Sequence, residues 1–166
     1  MPGMLRHARE SIREQLNAES LGREPGADIR FAATIEDAVR SADLVIDCVP
    51  DELESKLEIL WLLDRMAPPR TVFATPTTRL SIADLAACTY RPEKCIAIAA
   101  EPSALANPGA NSGHILLRAA PGTAPEAVAL VSNFWLRLGF TPFVESGAES
   151  GAELAPGADP GAQTML

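Results

Sequence analysis

The pattern of apolar and polar positions along this chain predicts short strands that alternate with helices. Runs rich in apolar or β-branched residues, which predict strands, lie at residues 44–49, 71–75, 95–100, 115–118 and 141–145, with a shorter candidate at 29–33. Helical periodicity and capping signals predict helices at residues 5–16, 34–41, 51–66, 81–88 and 123–138. Strands that alternate with helices usually form a parallel sheet with helices on both faces. We therefore predict an α/β fold with a mostly parallel sheet.

Several predicted helices have recognisable ends. Thr34, Ser81 and Thr123 are each followed three residues later by an acidic residue, which is the spacing of a helix N-cap. Gly139 follows the last predicted helix directly, as a glycine often does. Asp64 turns back towards the apolar face of its helix, and we expect it to be tolerated because it lies in the last turn.

Composition and charge exclude several classes of protein. The chain has 166 residues, of which 47% are hydrophobic and 22% charged, as in a globular domain. A net charge of −8 argues against a nucleic acid or an anionic membrane surface as partner. No apolar run approaches the roughly 20 residues that a membrane span needs. Cys48, Cys88 and Cys95 are odd in number and irregularly spaced, which favours reduced, buried cysteines over a disulfide framework or a metal site. We expect a cytoplasmic protein.

The chain divides by composition into two parts. Residues 1–145 carry the predicted strands and helices and form one domain. Residues 146–166 consist mostly of Gly, Ala, Pro, Glu and Asp, with almost nothing to bury, so we expect a flexible tail. The Pro, Asn, Gly and Ser residues at 103–113 predict a loop of unusual length.

Candidate functional residues follow the predicted strands, because ligands of such sheets bind at the carboxyl ends of the strands. Asp51 and Lys56 come after the first strand, Thr78 after the second and Glu101 after the third. A carboxylate can accept hydrogen bonds from ribose hydroxyls, and a lysine or a hydroxyl can contact other ligand oxygens. The structural alternative is that Asp51 and Lys56 are solvated charges early in a helix, and that the threonines of this loop form only a turn and a cap.

Two segments of the chain carry a family resemblance. The run at residues 42–85 includes ADLVIDCVPDELESK and VFATPTTRLSIADL, and it resembles the NAD-binding domain of the 3-hydroxyacyl-CoA dehydrogenases, a group that includes carnitine 3-dehydrogenase-like proteins. The resemblance covers roughly residues 5–145 and implies a Rossmann-like fold. It implies hydride transfer between NAD and a 3-hydroxyacyl substrate of fatty acid metabolism. The family's first strand, its Gly-rich turn and its C-terminal helical domain are not found, so we expect an incomplete Rossmann-like sheet.

The resemblance also implies roles for particular residues. Asp51 and Lys56 match positions that contact the nicotinamide nucleotide. Thr78 matches the active-site serine, which contacts both substrate and cofactor, although Pro76 replaces the neighbouring asparagine. Counted without gaps from Thr78, the catalytic histidine position holds Ala99, which cannot take a proton.

Two substitutes for the missing base can be considered. Glu101 is expected to be solvated at a strand end, where it would be a poor base. His114 is expected to be an ordinary surface or edge histidine, and a displaced base is the less favoured alternative.

Three hypotheses follow. The first is a truncated or degenerate relative of the NAD-dependent 3-hydroxyacyl-CoA dehydrogenases that is inactive as this chain and binds NAD weakly or not at all. The second is a non-catalytic interaction module that uses a free sheet edge. The third is that the protein begins upstream of Met1. With the family's missing strands absent, the strand at 44–49 would present a bare apolar edge. We expect that edge to pair with another subunit and give a homo-oligomer, to be covered by the N-terminal helix, or to cause aggregation.

Overall fold

The computed structural model describes Arg6, His7, Glu10, Ile12 and residues 30–101 and 113–147. The four separate residues near the start are all helical, in agreement with the helix predicted at 5–16. The predicted loop at 103–113 and the predicted tail at 146–166 lie outside the described residues except for Gly113, Ser146 and Gly147. The boundary that we placed at residue 145 stays a prediction.

Five strands form one sheet in the described part of the chain. They are β1 (Leu44–Ile46), β2 (Val72–Pro76), β3 (Cys95–Ile98), β4 (His114–Ala119) and β5 (Thr141–Ser146), and they lie in the order β1-β2-β3-β4-β5. The pairs β1–β2, β2–β3 and β4–β5 are parallel, whereas β3 and β4 are antiparallel. The predicted mostly parallel sheet is therefore confirmed.

Four α-helices lie in residues 30–101 and 113–147, one before β1 and three between strands. They are α1 (Ile35–Val39), α2 (Leu53–Met66), α3 (Ile82–Ala86) and α4 (Pro125–Arg137), and a single 3-10 turn at Pro92–Lys94 precedes β3. The hydroxyls of Thr34 and Ser81 accept the backbone N–H three residues later, so these two predicted N-caps are confirmed. Gly139 ends α4 with a φ of +86°, a left-handed conformation that glycine adopts without strain.

Two predictions of secondary structure are wrong, one of a strand and one of a helix cap. Residues 30–33 of the strand candidate at 29–33 are not in a strand. Thr123 does not cap α4, because its hydroxyl donates instead to the carbonyl of Cys95 at 3.2 Å and Ala124 takes the cap position. The Thr123 hydroxyl, which local spacing predicted to cap the helix, therefore bonds instead to a strand carbonyl from a distant part of the chain.

The core consists of two apolar layers, one on each face of the sheet. Helices α1, α2 and α3 cover one face, where Val39, Leu60, Leu63, Phe73, Leu85 and Ala97 are buried. Helix α4 covers the other face, where Ala74, Ile96, Ile98, Leu117, Val131 and Trp135 are buried. Layers on both faces explain why β3, the central strand, is apolar and buried at every position.

Asp64 is buried, but for a different reason from the one predicted. Its Oδ1 lies 2.6 Å from Nε of Arg91, and its Oδ2 accepts the N–H of Tyr90 at 2.9 Å. The guanidinium also donates to the carbonyls of Asp64 and Pro68 and lies over the ring of Phe73. A buried ion pair across 27 residues, and not proximity to the end of α2, makes this carboxylate tolerable.

The cysteines differ in exposure. Cys95 is buried, Cys88 is half-buried and Cys48 is exposed. The expectation of burial is therefore wrong for Cys48, which lies beyond the end of β1 next to the inward-facing Asp47.

Candidate functional site

The loops that follow β1, β2 and β3 meet at one edge of the sheet. Thr78, in the loop after β2, donates its backbone N–H to Oδ2 of Asp51, in the loop after β1, at 3.0 Å. The Thr78 hydroxyl lies 2.9 Å from Oε1 of Glu101, after β3, and 3.4 Å from Oδ2 of Asp51. Parallel strands bring these loops together because their carboxyl ends share an edge. The predicted site residues Asp51 and Thr78 are thus in direct contact.

Asp51 is an inward-facing carboxylate and not a solvated helix charge. It is 8% exposed and precedes α2, which begins at Leu53. Burial raises the pKa of Asp51, but the Thr77 hydroxyl, the Thr78 N–H and the Lys56 ammonium together lower it further, so that the pKa falls below its ordinary value. Among the described residues, Oδ1 of Asp51 is buried and has no hydrogen-bond partner. One oxygen of this carboxylate is therefore enclosed without a hydrogen-bond partner, while the other faces Thr78.

The two threonines of the β2–α3 loop have different roles. Thr77 is fully buried, its N–H donates to the carbonyl of Ile98, and its hydroxyl accepts the N–H of Leu80 at 3.0 Å. The structural alternative of a turn and cap is therefore correct for Thr77. Thr78 is exposed and faces the carboxylates of the site.

Lys56 lies beneath this site and not in its open part. Its side chain is 0% exposed, and Nζ lies 2.6 Å from Oδ1 of Asp47, whose side chain is 2% exposed. Sequence reasoning missed this ion pair. The available signal was Asp47 itself, the only polar residue of the apolar run at 44–49, because a buried carboxylate needs a cation nearby.

The loop after β3 brings Glu101 to the site but no imidazole. Ala99 donates its backbone N–H to the carbonyl of Leu116, and Glu101 is exposed, as predicted. Because β4 is antiparallel, it begins at the same edge of the sheet, which the sequence did not indicate. Its first residue, His114, is exposed, and its ring packs 5.3 Å from that of Phe143 on β5.

Neither a metal centre nor a membrane-spanning helix is found among residues 30–101 and 113–147. No group of three or more His, Cys, Asp or Glu side chains is placed to hold a metal ion. No helix in the same residues is long and apolar enough to cross a membrane.

Residues 3–145 match the family model "3-hydroxyacyl-CoA dehydrogenase, NAD binding domain". The chain belongs to this family. Its α/β sheet is accordingly the Rossmann-like sheet of that dehydrogenase domain, and NAD is the family's cofactor. The predicted family, fold class and family cofactor are thereby confirmed.

Curated relatives are dehydrogenases that are longer than this chain. A probable 3-hydroxybutyryl-CoA dehydrogenase of Bacillus subtilis is 38% identical over 68 residues, which cover 41% of this chain and 23% of the relative. An L-carnitine dehydrogenase of Pseudomonas putida is 28% identical over 127 residues, which cover 75% of this chain and 38% of the relative. The chain thus spans well under half the length of these relatives.

Solved structures agree with this assignment. An NAD+-dependent 5-formyl-3-hydroxy-2-methylpyridine 4-carboxylic acid 5-dehydrogenase superposes with a TM-score of 0.71 at 28% identity, covering 88% of this chain and 48% of that one. A 3-hydroxyacyl-CoA dehydrogenase of Archaeoglobus fulgidus superposes with a TM-score of 0.66 at 25% identity, covering 88% and 46%.

The residues of this dehydrogenase-family domain fit the nicotinamide nucleoside of NAD better than its pyrophosphate. The Asp51 carboxylate and the exposed hydroxyl of Thr78 match the hydroxyl and amide groups of the nicotinamide nucleoside in hydrogen-bonding character. A pyrophosphate is usually held by a glycine-rich turn directly after a strand. The glycines within the described residues are Gly113, Gly122, Gly139 and Gly147, and none of them comes directly after β1, β2 or β3.

Proposed function

We propose that this chain is a degenerate relative of the NAD-dependent 3-hydroxyacyl-CoA dehydrogenases that binds NAD weakly and does not itself transfer hydride. The observation that carries the proposal is the contact between the Asp51 carboxylate and Thr78 at the carboxyl edge of the sheet. When bound, NAD would supply the ring that accepts a hydride in the ancestral reaction on a 3-hydroxyacyl substrate. Longer relatives that include 3-hydroxybutyryl-CoA and L-carnitine dehydrogenases support this ancestry.

Asp51 is suited to hold a nucleoside hydroxyl. Its lowered pKa keeps it ionised, and the Thr78 N–H and the Arg79 guanidinium, which donates to the Asp51 carbonyl at 3.1 Å, fix its position. A fixed carboxylate loses little freedom when it accepts a hydrogen bond. The Thr78 hydroxyl can turn from Glu101 towards a ligand, because it is exposed.

The loss of hydride transfer follows from the chemistry at the end of β3. Ala99, which we align with the family's catalytic histidine, has no group that can take a proton. Glu101 is exposed to water, and a solvated carboxylate is a poor base towards an alcohol. In the described part of the chain, the Thr78 hydroxyl contacts Asp51 and Glu101, and the ring of His114 packs instead against Phe143.

Calorimetric titration with NAD tests the binding half of the proposal. We expect a dissociation constant of about 1 mM, which corresponds to roughly −4 kcal/mol. Asp51→Asn should weaken binding about fivefold, because a charge-assisted hydrogen bond becomes a neutral one. Asp43→Asn is the matched control, since it removes an exposed carboxylate at the other end of β1. Equal affinity of both variants, or no binding by the wild type at about ten times that concentration, would contradict the proposal.

An assay of NADH absorbance with a 3-hydroxyacyl-CoA tests the catalytic half. We expect no NADH formation above the buffer rate. Turnover that Thr78→Ala abolishes would show that the site is active and that Ala99 is not the decisive loss.

A second candidate function, a homo-oligomer or interaction module, is favoured by the position of β1. This strand is the terminal strand of the described sheet, and Leu44, Val45 and Ile46 are only half-buried. Paired edges of this kind can join two subunits through backbone hydrogen bonds. Light scattering during size-exclusion chromatography would support it if a dimer forms at micromolar concentration. A monomer at every concentration would count against it.

A further inference from the structure

Arg79 brings a cationic side chain to the open part of the site. It follows Thr78 directly in the loop after β2, and it is exposed. Its Nη2 donates to the backbone carbonyl of Asp51 at 3.1 Å, which ties the guanidinium to the loop after β1. The ammonium of Lys56, by contrast, is enclosed beneath the site and bonded to Asp47. A positive charge that a ligand can reach is therefore held at Arg79.

The guanidinium of Arg79 has no carboxylate partner in the described part of the chain. This is so although the neighbouring Thr78 contacts two acidic side chains, Asp51 and Glu101. Several other arginines do have acidic partners: Arg70 pairs with Asp43, Arg91 with Asp64 and Arg118 with Glu145. The bond to the Asp51 carbonyl occupies only one of the N–H donors of Arg79. The remaining donors are therefore free to bind an anion.

A fixed and exposed guanidinium suits a phosphate group. The planar fork of an arginine donates two parallel hydrogen bonds to the oxygens of a phosphate. Nicotinamide nucleotides carry a phosphate on the ribose that bears the nicotinamide. Within the described residues no glycine comes directly after β1, β2 or β3, so the usual cradle for a nucleotide phosphate is not formed there. A side chain next to the nucleoside contacts can take its place.

We propose that Arg79 binds the phosphate of the nicotinamide ribose and thereby makes this site selective for a nucleotide over a nucleoside. The inference rests on the function proposed above, because that function places a nicotinamide nucleoside against Asp51 and Thr78. It adds a specificity-determining residue for which the family resemblance implies no role.

An NMR titration with a matched pair of probes measures this selectivity. Nicotinamide mononucleotide carries the phosphate, and nicotinamide riboside is the same molecule without it. At pH 7 a phosphate monoester has a charge of about −1.5 to −2, which the acidic side chains of the site repel. A preference for the nucleotide therefore requires a cation at the site. We expect the wild type to bind the mononucleotide about fivefold more tightly than the riboside, and the Nε–H resonance of Arg79 to shift only with the mononucleotide.

Arg79→Gln removes the guanidinium and keeps an amide N–H that can donate to the Asp51 carbonyl. Any loss of support for that loop acts on both probes alike, so the ratio of the two dissociation constants is the readout. We expect the ratio to reverse in favour of the riboside, because the acidic side chains then repel the phosphate without compensation. Arg70→Gln is the matched control, since it removes the same charge at the amino ends of β1 and β2, where Arg70 pairs with Asp43, and it should keep the wild-type ratio.

The outcomes separate the two proposals. Equal and measurable affinity of the wild type for both probes, or an unchanged ratio in a folded Arg79→Gln variant, would overturn the role of Arg79 and leave the proposed function standing. Binding of neither probe by the wild type would refute the proposed function, and inorganic pyrophosphate then tests Arg79 alone. A shift of the Arg79 Nε–H resonance with pyrophosphate would support the anion contact, and no shift would overturn it.

Discussion

Replacing Asp64 by alanine removes the carboxylate that anchors the end of α2 to the segment before β3. In the folded protein this carboxylate bonds to Nε of Arg91 at 2.6 Å and accepts the N–H of Tyr90 at 2.9 Å. The side chains of Asp64 and Arg91 are only 2% and 14% exposed. The substitution therefore leaves a largely buried guanidinium without its counter-ion and a backbone donor without its acceptor.

The expected cost follows from burial. Breaking a buried ion pair by removing one partner costs about 3–5 kcal/mol, because the remaining charge stays desolvated. The better helix propensity of alanine returns at most about 0.7 kcal/mol. Asp43 and Arg70 form a pair with the same 2.6 Å separation, but their side chains are 71% and 59% exposed. Asp43→Ala should therefore cost only about 0–1 kcal/mol.

Urea unfolding followed by circular dichroism at pH 7 measures both variants against the wild type. Arg91→Met should cost about as much as Asp64→Ala, and the double variant should cost clearly less than the sum of the two. If Asp64→Ala and Asp43→Ala lowered the free energy of unfolding equally, burial would not be the property that makes this pair strong. Additive costs at Asp64 and Arg91 would contradict the direct coupling.

Three further predictions concern single residues. Burial raises the pKa of Cys95 to about 11, so at pH 8 a maleimide should modify exposed Cys48 first and Cys95 last. Peptide mapping measures the order of modification, and the reverse order would contradict this prediction. Gly139→Ala should lower the free energy of unfolding by about 1–2 kcal/mol, because a φ of +86° strains any residue that has a Cβ, even though no atom lies within 4 Å of the added group. In the same unfolding assay, the control Gly122→Ala should be near neutral. Folding lowers the pKa of Asp51, so the stabilisation by its carboxylate is complete above the ordinary value of 3.8 and is lost as the pH falls through the lower pKa of the folded state. The difference in free energy of unfolding between wild type and Asp51→Asn should therefore shrink from pH 7 to pH 3, and a constant difference would refute this prediction.

Local signals in the sequence predicted much of the fold. The five apolar runs became the five strands, and the caps at Thr34 and Ser81 formed as expected, because a cap depends on residues within one turn. The prediction that Thr123 caps a helix was wrong because a contact from outside the helical turn competed with the cap. A carbonyl 28 residues away competed for its hydroxyl, and no local spacing reveals such a competitor.

The site could be predicted only in part. The rule that ligands bind at the carboxyl ends of parallel strands correctly brought Asp51, Thr78 and Glu101 together. The direction in which Lys56 points could not be predicted, because it depends on whether a distant carboxylate faces the same interior layer. The antiparallel direction of β4, which places His114 at the same edge, was equally hidden in the apolar pattern.

The sequence by itself determined the family, the alternation of strands and helices, and the absence of an imidazole at residue 99, since each of these depends on residue identity and order. Only the tertiary structure decided which charges are buried and which partners they have. Asp47 with Lys56, and Asp64 with Arg91, are pairs that the chain brings together across 9 and 27 residues. The physical reason is that hydrophobic periodicity is a local property, whereas the desolvation of a charge and its compensation depend on everything packed around it.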